Sequence, residues 1–162
     1  MSARTSIQPQ PAAYATGTIT ARDGVTLGYR QLGHGPGVVM LHGSMESAAS
    51  HMRLAQALVN QHTVYLLDRR GRGLSGPFSA TYSVQSEVDD LSDLLSATGA
   101  RDVFGVSSGG LICLQAALSL PAIHRVAVYE PALMTDGTGT DPAAALRRFD
   151  RELAQGISQR RW

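Results

Sequence analysis

The sequence contains no lysine: all 14 basic residues are arginine. Beside the abundant alanine and glycine, this bias reads as the codon usage of a GC-rich genome and carries no chemistry. There is a single cysteine, Cys113. No internal disulfide can form, and in an apolar helical stretch this residue reads as small core. Charge of neither sign dominates, the net being +1, so nothing in it suggests a nucleic-acid or membrane partner. No stretch is apolar over the roughly 20 residues that a membrane-spanning helix needs. The opening residues, MSARTSIQPQPAAYATG, lack the apolar core of a secretory signal, so a cytoplasmic location is the expectation. Internal repeats and domain linkers are absent too. What is there is a 162-residue chain, 43% hydrophobic and 17% charged, long enough for one globular domain with a sizeable core.

The stretch that organises the rest is RDVFGVSSGGLICLQAALSL, residues 101–120. It opens on a short apolar run, Val103–Val106, suited to a buried strand. It turns through Ser107, Ser108, Gly109 and Gly110, then continues with helix-forming composition. Within the turn, Gly105-Val106-Ser107-Ser108-Gly109 fits G-x-S-x-G, in which a serine sits exposed on a tight strand-to-helix turn. A side chain at either glycine would collide with the neighbouring strand or helix. The helix start directs free N–H groups and a partial positive charge at a reacting carbonyl. The frame is unambiguous, because centring on Ser108 would need glycine at Val106. Ser107 is therefore the candidate nucleophile; the bland alternative is a glycine-rich turn with no chemistry.

Read in order, Thr16–Arg22 and Val25–Gln31 flank Asp23-Gly24, a hairpin signal. Gly37–Leu41 and Thr63–Leu67 read as buried parallel strands, with a helix over Glu46–Leu58 between them. Ser83 caps a helix from Val84 to Ala97 whose apolar face is Val88, Leu91, Leu94 and Leu95, with Gly99 past its end. After the elbow, Arg125–Tyr129 reads as a last buried strand. Asp141-Pro142 opens a further helix through Leu146, Phe149 and Leu153, stopped at Gly156. A hairpin followed by alternating strands and helices predicts an α/β fold, a mostly parallel sheet with helices on both faces. Ligands bind such sheets beyond the carboxyl ends of the strands. His42-Gly43-Ser44, Asp68-Arg69-Arg70, Ser107 and Glu130 all fall there.

These pieces resemble the α/β-hydrolase superfamily: His42-Gly43-Ser44, the Asp68–Ser75 run DRRGRGLS, the Gly105–Gly109 elbow and Tyr129-Glu130-Pro131, in the family's order. The resemblance covers roughly residues 16–155. It implies a sheet of which about six strands are present here, a site on the carboxyl edge, and a nucleophile–acid–histidine triad. Carried over, Ser107 is the nucleophile. The backbone N–H groups of Ser44 and Ser108 form the oxyanion hole, with His42, Gly43, Gly105 and Gly109 as supporting motif residues. Glu130 is either the triad acid or a structural carboxylate. Met45 reads as pocket lining or core. The family implies a small acyl substrate, hydrolysis of an ester or related bond, and neither cofactor nor metal.

The departure concerns histidine. In the family the catalytic His follows Ser and the acid, yet only His124 follows Ser107, and it precedes the sixth strand. His34, His51 and His62 read as ordinary polar positions. The expectation is a chain divided into a lead-in (1–15), a partial hydrolase core (16–140) and the start of a cap helix with an aberrant tail (141–162). Truncation before the triad histidine is expected, a natural short chain being the other reading. Weak or no activity in isolation follows. Rival readings are a non-catalytic half-domain that associates with itself or a partner through the exposed sixth-strand edge, and a cofactor-free peroxidase-type member of the same fold. Gly71–Gly76 also fits G-x-G-x-x-G, with Asp90 or Asp93 downstream. Pro77 and the following loop separate it from any helix, which argues against dinucleotide binding.

Overall fold

The computed structural model describes residues 13–133. Six strands form one sheet among them: β1 (Ala15–Thr20), β2 (Thr26–Gly33), β3 (Gly37–Leu41), β4 (Thr63–Leu67), β5 (Asp102–Val106) and β6 (Arg125–Tyr129). Their spatial order is β1-β2-β4-β3-β5-β6. β2 pairs antiparallel with both β1 and β4. β4, β3, β5 and β6 run parallel to one another. The sheet is therefore the mostly parallel one expected, led by an antiparallel hairpin that turns at Asp23-Gly24.

Helices lie on both faces. α1 (Met52–Leu58) closes a cluster of Leu32, Val38, Met40, Ala55, Val64 and Leu66. α2 (Val84–Thr98) and α3 (Ser108–Ala117) cover the other face, over Leu27, Val39, Leu41, Leu67 and Val103. Strand alternation sorts these side chains: Val38 and Met40 point to one face, Val39 and Leu41 to the other. α2 begins where its cap predicts. The Ser83 side chain accepts from the Ser86 N–H, the Ser86 side chain reaches back, and Gly99 ends the helix in left-handed geometry at φ 70°.

Three expectations need correction. Glu46–Leu58 is not one helix: a 3₁₀ turn over Ala48–His51 precedes α1, because the Ala48 N–H is held by the Asp68 carboxylate. β6 is not buried. It is the sheet's edge among the described residues, with Val126 and Val128 half-buried and Ala127 between them exposed. Met45 is not core, being 72% exposed. The helix expected from Asp141 to Gly156 lies outside the described residues. Among those described, no helix is long and apolar enough to cross a membrane.

Candidate active site

β3, β4, β5 and β6 end at Leu41, Leu67, Val106 and Tyr129. Because they are parallel, His42-Gly43-Ser44, Asp68-Arg69-Arg70, Ser107 and Glu130 all emerge from one edge of the sheet. Ser107 stands between β5 and α3 with φ 51° and ψ −119°. A non-glycine residue at positive φ costs roughly 1–3 kcal/mol and persists only where its surroundings impose it. Here they do. The Ser107 N–H donates to the Tyr129 carbonyl at 3.0 Å, and the Ser107 carbonyl accepts from Leu111 and Ala132 N–H groups, each at 3.2 Å. The chain is thus pinned on both sides of the turn.

The two motif glycines fit the closeness predicted for them. A Cβ on Gly105 would run into the Gly109 carbonyl. A Cβ on Gly109 would lie 2.5 Å from the Leu41 carbonyl oxygen and 2.6 Å from that of His42. Backbone contact at Gly109 therefore brings the start of α3 against the end of β3. It sets Ser107 beside the His42–Ser44 loop, where the position of a Gly43 Cβ is 3.4 Å from the Ser107 Cβ. The hydroxyls of Ser44 and Ser108 are hydrogen-bonded at 2.9 Å. Among the described residues the backbone N–H groups of Ser44 and Ser108 make no hydrogen bond within the turns and loops.

Three of the histidines, His42, His51 and His124, have hydrogen-bond partners away from Ser107. His42 is 1% exposed. Its Nδ1 lies 2.7 Å from the Gly43 carbonyl and its Nε2 accepts the Arg69 backbone N–H at 3.1 Å. That fixes the neutral Nδ1–H tautomer, and burial holds the imidazole below its ordinary pKa. His51 Nε2 meets Glu46, whose carboxylate also accepts the Gly43 N–H at 2.8 Å; that hydrogen bond is the main reason Glu46 titrates below the usual carboxylate range. His124 meets Arg101 at the far edge of the sheet. Glu130 follows β6 at φ 45°, and its carboxylate meets no hydrogen-bonding partner among the described residues. No group of His, Cys, Asp and Glu among these residues could hold a metal ion.

Beneath the loops lies a layer of ion pairs that sequence reasoning did not anticipate. Arg69 forks onto Glu87 at 2.8 and 3.1 Å, and Arg70 onto Asp90 at 2.5 and 2.7 Å. Tyr82 donates to Glu87 at 2.6 Å, and Arg70 also reaches Asp23. A signal was present: Glu87, Asp90, Leu91 and Leu94 are spaced i, i+3, i+4, i+7, which places two carboxylates inside the apolar stripe of α2. Asp68, fully buried, takes Arg30 at 2.6 Å, the Ala48 N–H at 2.8 Å and the Leu74 N–H at 3.0 Å. With Asp90 on Arg70 and Asp93 on Arg22, neither is available to a dinucleotide ribose.

The model of the alpha/beta hydrolase family matches residues 38–162. The chain belongs to this family. It is similar to an uncharacterized hydrolase, YraK, of Bacillus subtilis, at 32% identity over 68% of this chain and 43% of that protein. It is also similar to a pimeloyl-[acyl-carrier protein] methyl ester esterase of Xanthomonas oryzae, at 31% identity over 60% of this chain and 37% of that protein. Among solved structures, an alpha/beta hydrolase of Sphaerobacter thermophilus superposes with a TM-score of 0.76 at 38% identity, over 87% of this chain and 55% of that one. The chain spans less than two thirds of the length of each.

Proposed function

We propose that this alpha/beta hydrolase chain carries the nucleophile and oxyanion hole of a serine hydrolase acting on an ester or related acyl bond. The observation that carries this reading is the Ser107 backbone, held at φ 51° between strand and helix with the His42–Ser44 loop packed against it. In the proposed reaction Ser107 Oγ attacks the acyl carbon. The carbonyl oxygen takes up negative charge between the N–H groups of Ser44 and Ser108, donors worth about 3–4 kcal/mol each to the transition state. Collapse expels the alcohol and leaves an acyl-serine, which water then hydrolyses.

A serine hydroxyl needs an adjacent base. All five histidines of the sequence fall among the described residues, and none is hydrogen-bonded to Ser107. The 162 residues alone therefore provide positioning and oxyanion stabilisation. In serine proteases, loss of the base costs roughly 10⁶ in kcat, while the oxyanion hole and binding retain roughly 10³–10⁴ over water. Turnover of p-nitrophenyl acetate should stand barely above background and fall further in Ser107→Ala. A fluorophosphonate probe should label Ser107 poorly. Fusing or adding the carboxyl-terminal segment of the Sphaerobacter thermophilus hydrolase should raise both. Failure to raise either, with the segment shown to bind, would sink the reading.

A further inference from the structure

One side chain from outside both donor segments, Arg69 in the loop after β4, hydrogen-bonds to each of them. Arg69 is 8% exposed and uses its fork in two directions. Nε and Nη2 grip the Glu87 carboxylate. Nη1 donates to the His42 carbonyl at 3.1 Å and to the Ser108 hydroxyl at 2.9 Å. His42 begins the loop that presents the Ser44 N–H, and Ser108 presents the other N–H. The hydroxyls of those same two residues are joined to each other. One guanidinium nitrogen thus ties together the segments that supply the donors, while Glu87 and Tyr82 fix the guanidinium from behind.

We propose that Arg69 is the positioning residue of the oxyanion hole, acting through a latch of the Ser44 and Ser108 hydroxyls. The proposal rests on Ser107 being the nucleophile and adds what sets the spacing of the donors facing it. Preorganised donors stabilise a developing charge without moving during the reaction, and a 1 Å misplacement can cost roughly 10² in rate. Arg69 suits the task because its planar fork holds a carboxylate on one side and two acceptors on the other. A lysine ammonium has neither the geometry nor the reach to do both.

The test measures binding of phenylboronic acid, which forms a tetrahedral adduct on an active-site serine, by ¹¹B NMR. The native chain is compared with Arg69→Met, Arg69→Lys, Ser108→Ala and the Arg69→Met/Ser108→Ala double variant, with urea stability measured on each. Arg69→Met is expected to weaken the adduct roughly tenfold or more. Lysine should not rescue it, and the double variant should be no worse than Arg69→Met, because both changes cut one latch. Native affinity in a folded Arg69→Met would overturn the proposal. Should Arg69→Met not fold, Ser108→Ala leaves the Arg69–Glu87 pair intact and is judged by the same comparison. A native chain that binds no better than Ser107→Ala would refute the nucleophile reading itself. The latch is then judged from crystal structures, where an unmoved Ser44 amide in the variants would overturn it.

Discussion

Replacing Gly109 with alanine tests the contact that sets the nucleophile against the loop beside it. The added methyl would stand 2.5 Å from the Leu41 carbonyl oxygen and 2.6 Å from that of His42. Ordinary contact begins at 3.4 Å, so α3 and the end of β3 must separate by about 0.9 Å, the difference between 3.4 and 2.5 Å. Both obstructing atoms are backbone, and no side-chain rotation relieves them. Overpacking of this kind costs roughly 1–3 kcal/mol, set against about 1 kcal/mol that alanine returns in helix propensity. Gly110 is the internal control. It is also in α3, but its Cβ would meet the Gly105 carbonyl at 3.2 Å and Pro131 at 3.3 Å, which a few tenths of an ångström relieve. Thermal unfolding followed by circular dichroism should therefore place Gly109→Ala below the native chain and Gly110→Ala near it. At about 2–4 °C per kcal/mol for a chain of this size, the gap between them is several degrees. A Gly109→Ala chain as stable as Gly110→Ala would refute the close approach on which the site's geometry depends.

Two further outcomes follow from features described above. His42 is neutral and buried, held below its ordinary value of 6.5 by burial, so below that pH the unfolded chain binds a proton that the folded chain refuses. Stability should fall as pH drops from about 6.5 toward the folded-state value, and urea unfolding at pH 7.5 and 5.5 should show the difference shrinking in His42→Gln. The β6 edge should support self-association, since unpaired strand edges template pairing with another chain. Sedimentation velocity across a concentration series should show association that an Ala127→Lys change reduces; a concentration-independent monomer would contradict it.

Periodicity and turn chemistry made most of the fold legible. β3, β4 and β6 begin and end where their apolar runs do, and the Ser83 and Gly99 caps bound α2 because both signals are local. The elbow was legible because its glycines answer to backbone contacts that few sequences permit. The split of Glu46–Leu58 was hidden, since the Ala48 N–H bends toward a carboxylate that lies 20 residues on. The pairing of Arg69 with Glu87 and Arg70 with Asp90 was hidden for the same reason: which cation meets which carboxylate depends on strand order. Glu87 and Asp90 in an apolar stripe announced buried charge without naming the partner. A Val-Ala-Val run looks alike at a sheet's centre and at its edge, so composition alone reads β6 as buried, while the exposed edge expected of a six-stranded sheet is what the strand order gives among the described residues.

Asp68 binds three parts of the chain with one carboxylate: β2 through Arg30, the turn before α1 through Ala48, and the loop after β4 through Leu74. An acceptor shared in this way couples the lifetimes of its bonds. The Ala48 amide cannot leave its oxygen, nor the Leu74 amide the other, without freeing a buried negative charge that still faces Arg30. Opening is therefore expected to be collective, and the Ala48 and Leu74 amides, 26 residues apart in sequence, should exchange at a common rate in hydrogen exchange. The turn before α1 and the loop after β4 are thus joined through one acceptor, and release of Asp68 would free both.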